Sequence, residues 1–357
     1  MTVVKFGDIV RDVKINIDRN NNPYKQYVAG DHMDTEDLTI HRFGNFETDD
    51  VGPAFTRLFK PGQVLYGSRR TYLKKVAVAD FEGICANTTF VLESKDESIF
   101  DSRLLPFIML SDSFTRWSIA HSKGSTNPYV LFSDLAGFEF SLPALSEQKI
   151  LADKLWTAFR LKESYNKLLD TTQEMVKSQF IEMFDFHELN LNSPSKDFDT
   201  MCYDDTSSAT KIPAGDYLQE GKYAVYDQAQ EKDIAGYSNT EQGLCRNYPA
   251  VLFGDHSRVI KYINEPFFIG ADGVKIIRPK EDDLLPEFLY YDLKYHNIPN
   301  TGYNRHFKYL KMISLTKAPL EDQSKFLSLA HQADKSEFEL RKSIDAIDAV
   351  IKSLINN

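Results

Sequence analysis

In the stretch Pro61-Gly62-Gln63-Val64-Leu65-Tyr66-Gly67-Ser68-Arg69-Arg70, the tetrapeptide Val64-Leu65-Tyr66-Gly67 returns 187 residues later as Val251-Leu252-Phe253-Gly254. A basic, turn-prone segment follows each copy, Ser68-Arg69-Arg70 in one and His256-Ser257-Arg258 in the other. Next comes a β-rich run, Ala79 to Leu92 and Pro266 to Ile277, closed by charged turns at 93–97 and 279–283. Leu104-Leu105-Pro106 then matches Leu284-Leu285-Pro286, 180 residues on, and Leu145-Ser146-Glu147-Gln148 matches Leu320-Glu321-Asp322-Gln323, 175 residues on. Matches in one order, at an offset that drifts as loop insertions make it drift, mark an internal duplication.

After each Leu-x-x-Gln element the apolar period turns helical. The second copy places Phe326, Ala330, Ala333, Glu337, Leu340, Ile344, Ile347, Ile351 and Leu354 at alternating steps of four and three. The first gives Leu151, Leu155, Ala158, Lys162, Tyr165, Leu169, Thr172, Val176 and Gln179, a stripe diluted at its far end. Neither 147–184 nor 321–355 contains a Pro or Gly to break a helix. Glu147 and Glu321-Asp322 lie where negative charge favours a helix start. About 35 residues at 1.5 Å each make a rod of roughly 50 Å. Such a rod cannot bury its stripe alone. Pairing is expected through Leu151, Leu155, Tyr165, Leu169 and Val176 on one side and Leu340, Ile344, Ile347, Ile351 and Leu354 on the other. The alternative packs each rod on its own globular part. Lys162 and Glu337 interrupt the two stripes at one repeat position with opposite sign, as a register device or as a wet part of the seam. The expected organisation is mixed α/β (α+β): globular 1–145, long helix 146–186, globular 187–319, long helix 320–357.

Composition bounds the function. The chain has 357 residues, 42 basic and 52 acidic, and a net charge of −10. Its 42% hydrophobic and 13% aromatic content supports packed cores and, by length, two or more folded units. No run approaches the ~18 apolar residues of a membrane span, and Met1-Thr2-Val3-Val4-Lys5-Phe6 opens no secretory stretch. A cytoplasmic protein without membrane association is expected. Cys85, Cys202 and Cys245 lie far apart, without spacing for a zinc site or disulfide framework. Neither globular part is net basic, so any face for nucleic acid has to be built locally.

A globular unit, a closing Leu-x-x-Gln, a long helix, and the same again resembles the DNA-specificity subunit of type I restriction–modification systems. The first half carries the resemblance in residues 61–70 and in Leu142-Pro143-Ala144-Leu145-Ser146-Glu147-Gln148-Lys149-Ile150-Leu151. The second half carries it in Glu220-Gly221-Lys222-Tyr223-Ala224-Val225-Tyr226, Gly236-Tyr237 and Leu320-Glu321-Asp322-Gln323. The resemblance implies two target-recognition domains held apart by two antiparallel helices forming a coiled coil, each reading half of a split DNA sequence. It implies double-stranded DNA, two methyltransferase subunits and a restriction subunit as partners. S-adenosylmethionine, ATP and Mg would belong to those partners, with no cofactor, metal or catalytic residue in this chain. Rods of roughly 50 Å would part the readers by more than the ~34–36 Å of one DNA turn.

Phosphate contacts position a protein and base-edge contacts specify sequence. In the first half Ser68, Arg69, Arg70, Tyr72, Lys74 and Lys75 crowd guanidinium, hydroxyl, aromatic and ammonium groups into a short span. Arg suits a guanine edge bidentately and Lys suits phosphate. A Gly/Pro loop adds Lys123, Ser125, Asn127 and Tyr129. The second half offers His256, Ser257, Arg258 and Lys261, then Asn304, Arg305, His306 and Lys308, and a third group of Lys222, Tyr223, Tyr226 and Gln228. For each, the competing reading is an ordinary solvated loop, structural turn or strand edge. The loops differ between copies on a shared frame, which predicts an asymmetric target.

Catalytic motifs are missing. Asn127-Pro128-Tyr129 is similar to the Asn-Pro-Pro-Tyr element of amino-methyltransferases but lacks the second Pro and a glycine-rich cofactor loop. No G-x-x-x-x-G-K-[ST] or H-E-x-x-H occurs. The leading reading is a noncatalytic DNA-reading scaffold. Its rivals are a two-headed adaptor binding proteins rather than DNA, which the acidic net charge mildly favours, and an enzyme without a recognisable motif.

Overall fold

The computed structural model describes residues 2–18, 21–184, 195–230, 232–270, 273–302 and 304–356. They form two compact units, residues 1–166 with 341–357, and residues 167–340. The expected 186/187 boundary lies outside the described residues, as does Tyr303.

In the first unit Val64–Gly67 is an interior strand of an antiparallel sheet, between Val76–Val78 and Thr89–Ser94, with Val10–Asp12 beyond. A short run of Val, Leu and Tyr with no polar member reads as a strand covered on both faces. Its side chains alternate accordingly. Val64 and Tyr66 join a core with Phe107 and Phe114 of helices Leu105–Leu110 and Asp112–Ala120. Leu65 joins a second core with Val28 and Cys85. Those two residues belong to another four-stranded sheet, where Gln26–Val28 runs parallel to Gly83–Ala86 between edge strands Gly44–Asn45 and Phe55–Phe59.

The second unit repeats the plan. Ala250–Gly254 lies between Ile260–Ile263 and Val274–Pro279, with Cys202–Asp204 beyond, all antiparallel. Val251 and Phe253 face a core with Phe288 of helix Pro286–Tyr295, while Leu252 faces one with Phe267 and Ile269. In its second sheet Tyr223–Tyr226 runs parallel to Phe267–Gly270, with Gly236–Ser238 antiparallel outside. The far edge differs. It is antiparallel Phe55–Phe59 in the first unit and parallel Lys211–Ile212 in the second.

The long helices run Leu145–Phe184 and Leu320–Asn356, 40 and 37 residues. Each begins with the same lock. Gln148 is buried; its Nε2 donates to the carbonyls of Ile99 and Pro143, and its Oε1 accepts from the Asp101 amide. Gln323, equally buried, donates to Asp283 and Ala318 and accepts from Leu285. The Leu-x-x-Gln element therefore ties each helix start to the segment that follows the main sheet.

Within each unit a part of each helix packs against the other, antiparallel. In the first, Lys162 Nζ meets Asp348 at 2.7 Å, and Leu155 and Phe159 share a core with Ile351. In the second, Gln173 donates to Glu337 at 3.1 Å, and Phe180 packs edge-on to Phe326 at 5.1 Å. Lys162 and Glu337 thus each have a partner on the other long helix. Leu155, Leu169, Val176 and Ile351 are buried, while Leu151, Tyr165, Leu340, Ile344, Ile347 and Leu354 are half-buried. Where the stripe was extended to Gln179, the buried side chain is Phe180. A strict 3.5 repeat drifts ~20° per heptad on a straight helix, and over four heptads the inward face moves on by one residue.

Candidate nucleic-acid interface

Each unit brings its two expected loops together by the same backbone bond. In the first, the Val130 amide donates to the Ser68 carbonyl (3.0 Å) and the Arg70 amide to Pro128 (2.7 Å). This seats the 123–129 loop beside the hairpin turn after Gly67. Lys123 and Tyr129 close that loop with reciprocal bonds, and the Arg69 guanidinium lies over the Tyr129 ring at 5.8 Å. In the second unit the His306 amide donates to the Asp255 carbonyl (2.7 Å), and His256 Nδ1 contacts the Asn304 carbonyl (3.2 Å). Ser68 and Asp255 both directly follow the glycine that ends the interior strand. At Gly254 that glycine is required, because a Cβ would stand 2.3 Å from Ser257 Oγ and 2.9 Å from the Gln228 Cβ.

Burial sorts the candidates. Arg69, Arg70, Tyr72, Lys123, Ser125, Asn127 and Tyr129 are exposed in the first unit, and Asn304, Arg305 and Lys308 in the second. Among the described residues Arg69, Arg70 and Lys308 show no carboxylate partner, and Arg305 Nε stands 4.0 Å from Asp255 with its side chain 81% exposed. Lys123 is neutralised by Asp134 at 2.8 Å. Lys222 Nζ and Tyr223 Oη both contact Glu241 Oε1, at 2.8 and 3.0 Å. Gln228 accepts from the His256 amide, so its side chain supports the turn.

Four expected contact residues are interior instead. Ser68 is buried, its hydroxyl donating to the Thr88 carbonyl at 2.6 Å. Tyr226 is buried, its hydroxyl on Glu265, and burial pushes its ionisation up. Lys261 is buried, its Nζ on the carbonyls of Lys232 and Asp233 at 2.8 and 3.0 Å, and desolvation holds its pKa below the ordinary lysine range. His306 is fully buried between the Asp255 carbonyl and the Thr301 amide. Composition favours the outside for such residues, but in each case a waiting partner offsets the cost of leaving water.

Asp255 was not foreseen. It is buried, its Oδ1 accepts from the Phe307 amide at 2.7 Å, and its position one after the repeated glycine was the available signal. Cys85, Cys202 and Cys245 are buried and free, with burial pushing the first two thiols up to about 12. Asp37, His41 and Glu163 place three potential ligand atoms within 4.8 Å of one another. Their contacts, with that from Thr39 to Glu163, tie the 37–41 loop to the first long helix. No helix among the described residues is long and apolar enough to cross a membrane.

The chain is thus a duplicated α/β unit with two unbroken long helices and a pair of cation-bearing loops at one place in each copy. Residues 6–171 match the family described as type I restriction modification DNA specificity domain. The chain is 27% identical over 174 residues to the EcoDI specificity subunit of a type I restriction enzyme from Escherichia coli, a match spanning 49% of this chain and 37% of that relative. In fold it is similar to the S subunit of a type I restriction-modification system from M. genitalium, with TM-score 0.57, 16% identity, and 99% and 94% of the two chains covered. It is likewise similar to a chain solved in work on complex assembly and conformational transition of the type I R-M system. There the TM-score is 0.54 at 19% identity, with 99% and 96% covered.

Proposed function

We propose that the chain is the noncatalytic, sequence-specific DNA-reading subunit of a type I restriction–modification complex, each unit reading one half of a bipartite, asymmetric duplex target. In this reading it carries methyltransferase subunits, two of them, and a restriction subunit, and the S-adenosylmethionine, ATP and Mg chemistry is theirs. The observation that carries it is the matched pair of loops. The hydrogen bond from Val130 to Ser68 in one unit is that from His306 to Asp255 in the other, and both pairs present exposed Arg or Lys among polar side chains. Phosphate neutralisation gives binding that weakens linearly in log salt with a slope near −0.9 per phosphate contacted. The test measures binding of the chain to a mixed-sequence duplex across salt, then co-expresses it with a candidate methyltransferase subunit and maps methylated positions. A steep slope and methylation confined to one split, non-palindromic sequence are expected. Salt-insensitive binding to proteins alone would favour an adaptor, and methyl transfer by the isolated chain would overturn the noncatalytic assignment.

A further inference from the structure

Two of the exposed-looking cations in the candidate loops are turned inward, at matching places. In both units the residue two before the returning hairpin strand, Lys74 before Val76–Val78 and Arg258 before Ile260–Ile263, has a left-handed backbone, φ 46° and 63°. Left-handed conformations are costly for residues with a Cβ and persist where the surroundings over-determine them. Here the side chains supply that determination. Lys74 Nζ donates to Glu36 Oε1 at 2.6 Å and lies 3.7 Å from Asp112, while its carbonyl accepts from the Glu36 amide. Arg258 Nη1 donates to the Ile298 carbonyl at 2.9 Å, and its amide closes the turn onto Gly254 at 2.7 Å. Asp112 and Ile298 each follow the helix opened by a Leu-Leu-Pro element, Leu105–Leu110 and Pro286–Tyr295. Arg258 thus ties its turn to the segment after that helix, and Lys74 ties its turn chiefly to Glu36, with Asp112 nearby.

We infer that Lys74 and Arg258 are positioning residues of the two recognition turns: their head groups fasten the turns to neighbouring scaffold segments, Glu36 and Asp112 in one unit and the Ile298 carbonyl in the other, and the turns' remaining cations meet the nucleic acid. This rests on the DNA-reading assignment and deepens it. The inward lysines Lys75, on the Gly30 carbonyl at 2.5 Å, and Lys261 extend the same economy, because a cation held by protein releases no counterion from DNA.

The full chain is compared with Lys74→Met, Arg258→Met, the conservative Lys74→Arg and Arg258→Lys, and Lys308→Ala. Duplex binding is read as the salt slope on a mixed-sequence duplex, and sequence choice by selection from a random-sequence duplex pool. Backbone amide exchange of residues 69–74 and 255–258 is followed without DNA. The two Met variants should keep the wild-type slope, blur the selected sequence in one half only, and speed turn exchange about tenfold or more. The conservative variants should restore selection, and Lys308→Ala should flatten the slope by about 0.9. A Met variant that flattened the slope by as much would be a lost phosphate contact, and unchanged turn exchange would show that the brace holds nothing; either overturns the inference. Salt-independent binding by the wild type would instead remove the DNA-reading assignment, and the exchange measurement would still decide the brace.

Discussion

At the scale of single residues, the two glutamines show how a weak motif carries a strong constraint. Gln148 and Gln323 are each about 1% exposed, and each satisfies three backbone groups with one side chain. Removing a buried partner leaves those groups unpaired, at about 1–3 kcal/mol. Gln323→Ala should therefore lower stability by at least that much, seen as an earlier urea midpoint. Gln323→Glu, which keeps the shape but loses the donating amide, should do no better. Beside the first lock, Arg103 donates to both oxygens of Asp101, at 3.0 and 2.6 Å, and holds that carboxyl below the usual carboxylate range. A pKa lowered in the folded state contributes stability in full above the unfolded value of about 4 and loses it as pH falls through the folded one. The gap in thermal midpoint between wild type and Asp101→Asn should accordingly narrow as pH is lowered from neutrality through 4 to 3. A gap that stayed constant over that range would show that the Arg103 pair stabilises nothing.

At the scale of elements, the interior strands and long helices were legible because their signals are local. Val64-Leu65-Tyr66 and Val251-Leu252-Phe253 are uninterrupted apolar runs, and the helices lack any breaker over more than thirty residues. What the stripe left out was the aromatic weight. Phe180 is fully buried among Phe184, Phe288, Tyr295 and Phe326, at centroid distances of 5.0 to 5.4 Å, and a periodic template fixed on Gln179 passes one residue beside it. Phe180→Ala should cost about 3–5 kcal/mol, measured by chemical denaturation. Ile347→Asp, at a half-buried place on the second long helix, should cost less than Ile351→Asp in the buried core with Leu155. The second sheets were harder to foresee. Their inner strands pair in parallel across long connections, and at the far edge one copy uses a strand antiparallel to its inner partner and the other a strand parallel to it. The interior position of Lys261 and His306 was invisible for a related reason. A Lys or His in a loop looks solvated unless the distant carbonyls of Lys232, Asp233 or Asp255 are known to be waiting for it.

At the scale of the whole molecule, the duplication makes a separable prediction. Each unit closes its own cores, around Tyr66 and Leu65 in the first and Phe253 and Leu252 in the second, and each carries its own loop pair. The contents of those pairs are unlike: Arg69 over Tyr129 with Arg70 in one, Asn304 and Arg305 with Lys308 in the other. Arg presents a bidentate fork to a guanine edge and Asn to adenine, each worth about 1–3 kcal/mol against the wrong base. If the units read independently, Arg69→Ala or Arg70→Ala should relax one half of the sequence chosen from a random duplex pool by roughly 5- to 150-fold per contact, leaving the other half intact. Arg305→Ala should do the converse, and the double substitution should add, since distant sites without shared partners add within a few tenths of a kcal/mol. An arginine change that weakened both halves alike would mean that the two copies read as one surface, and the assignment of one half-site to each unit would fall.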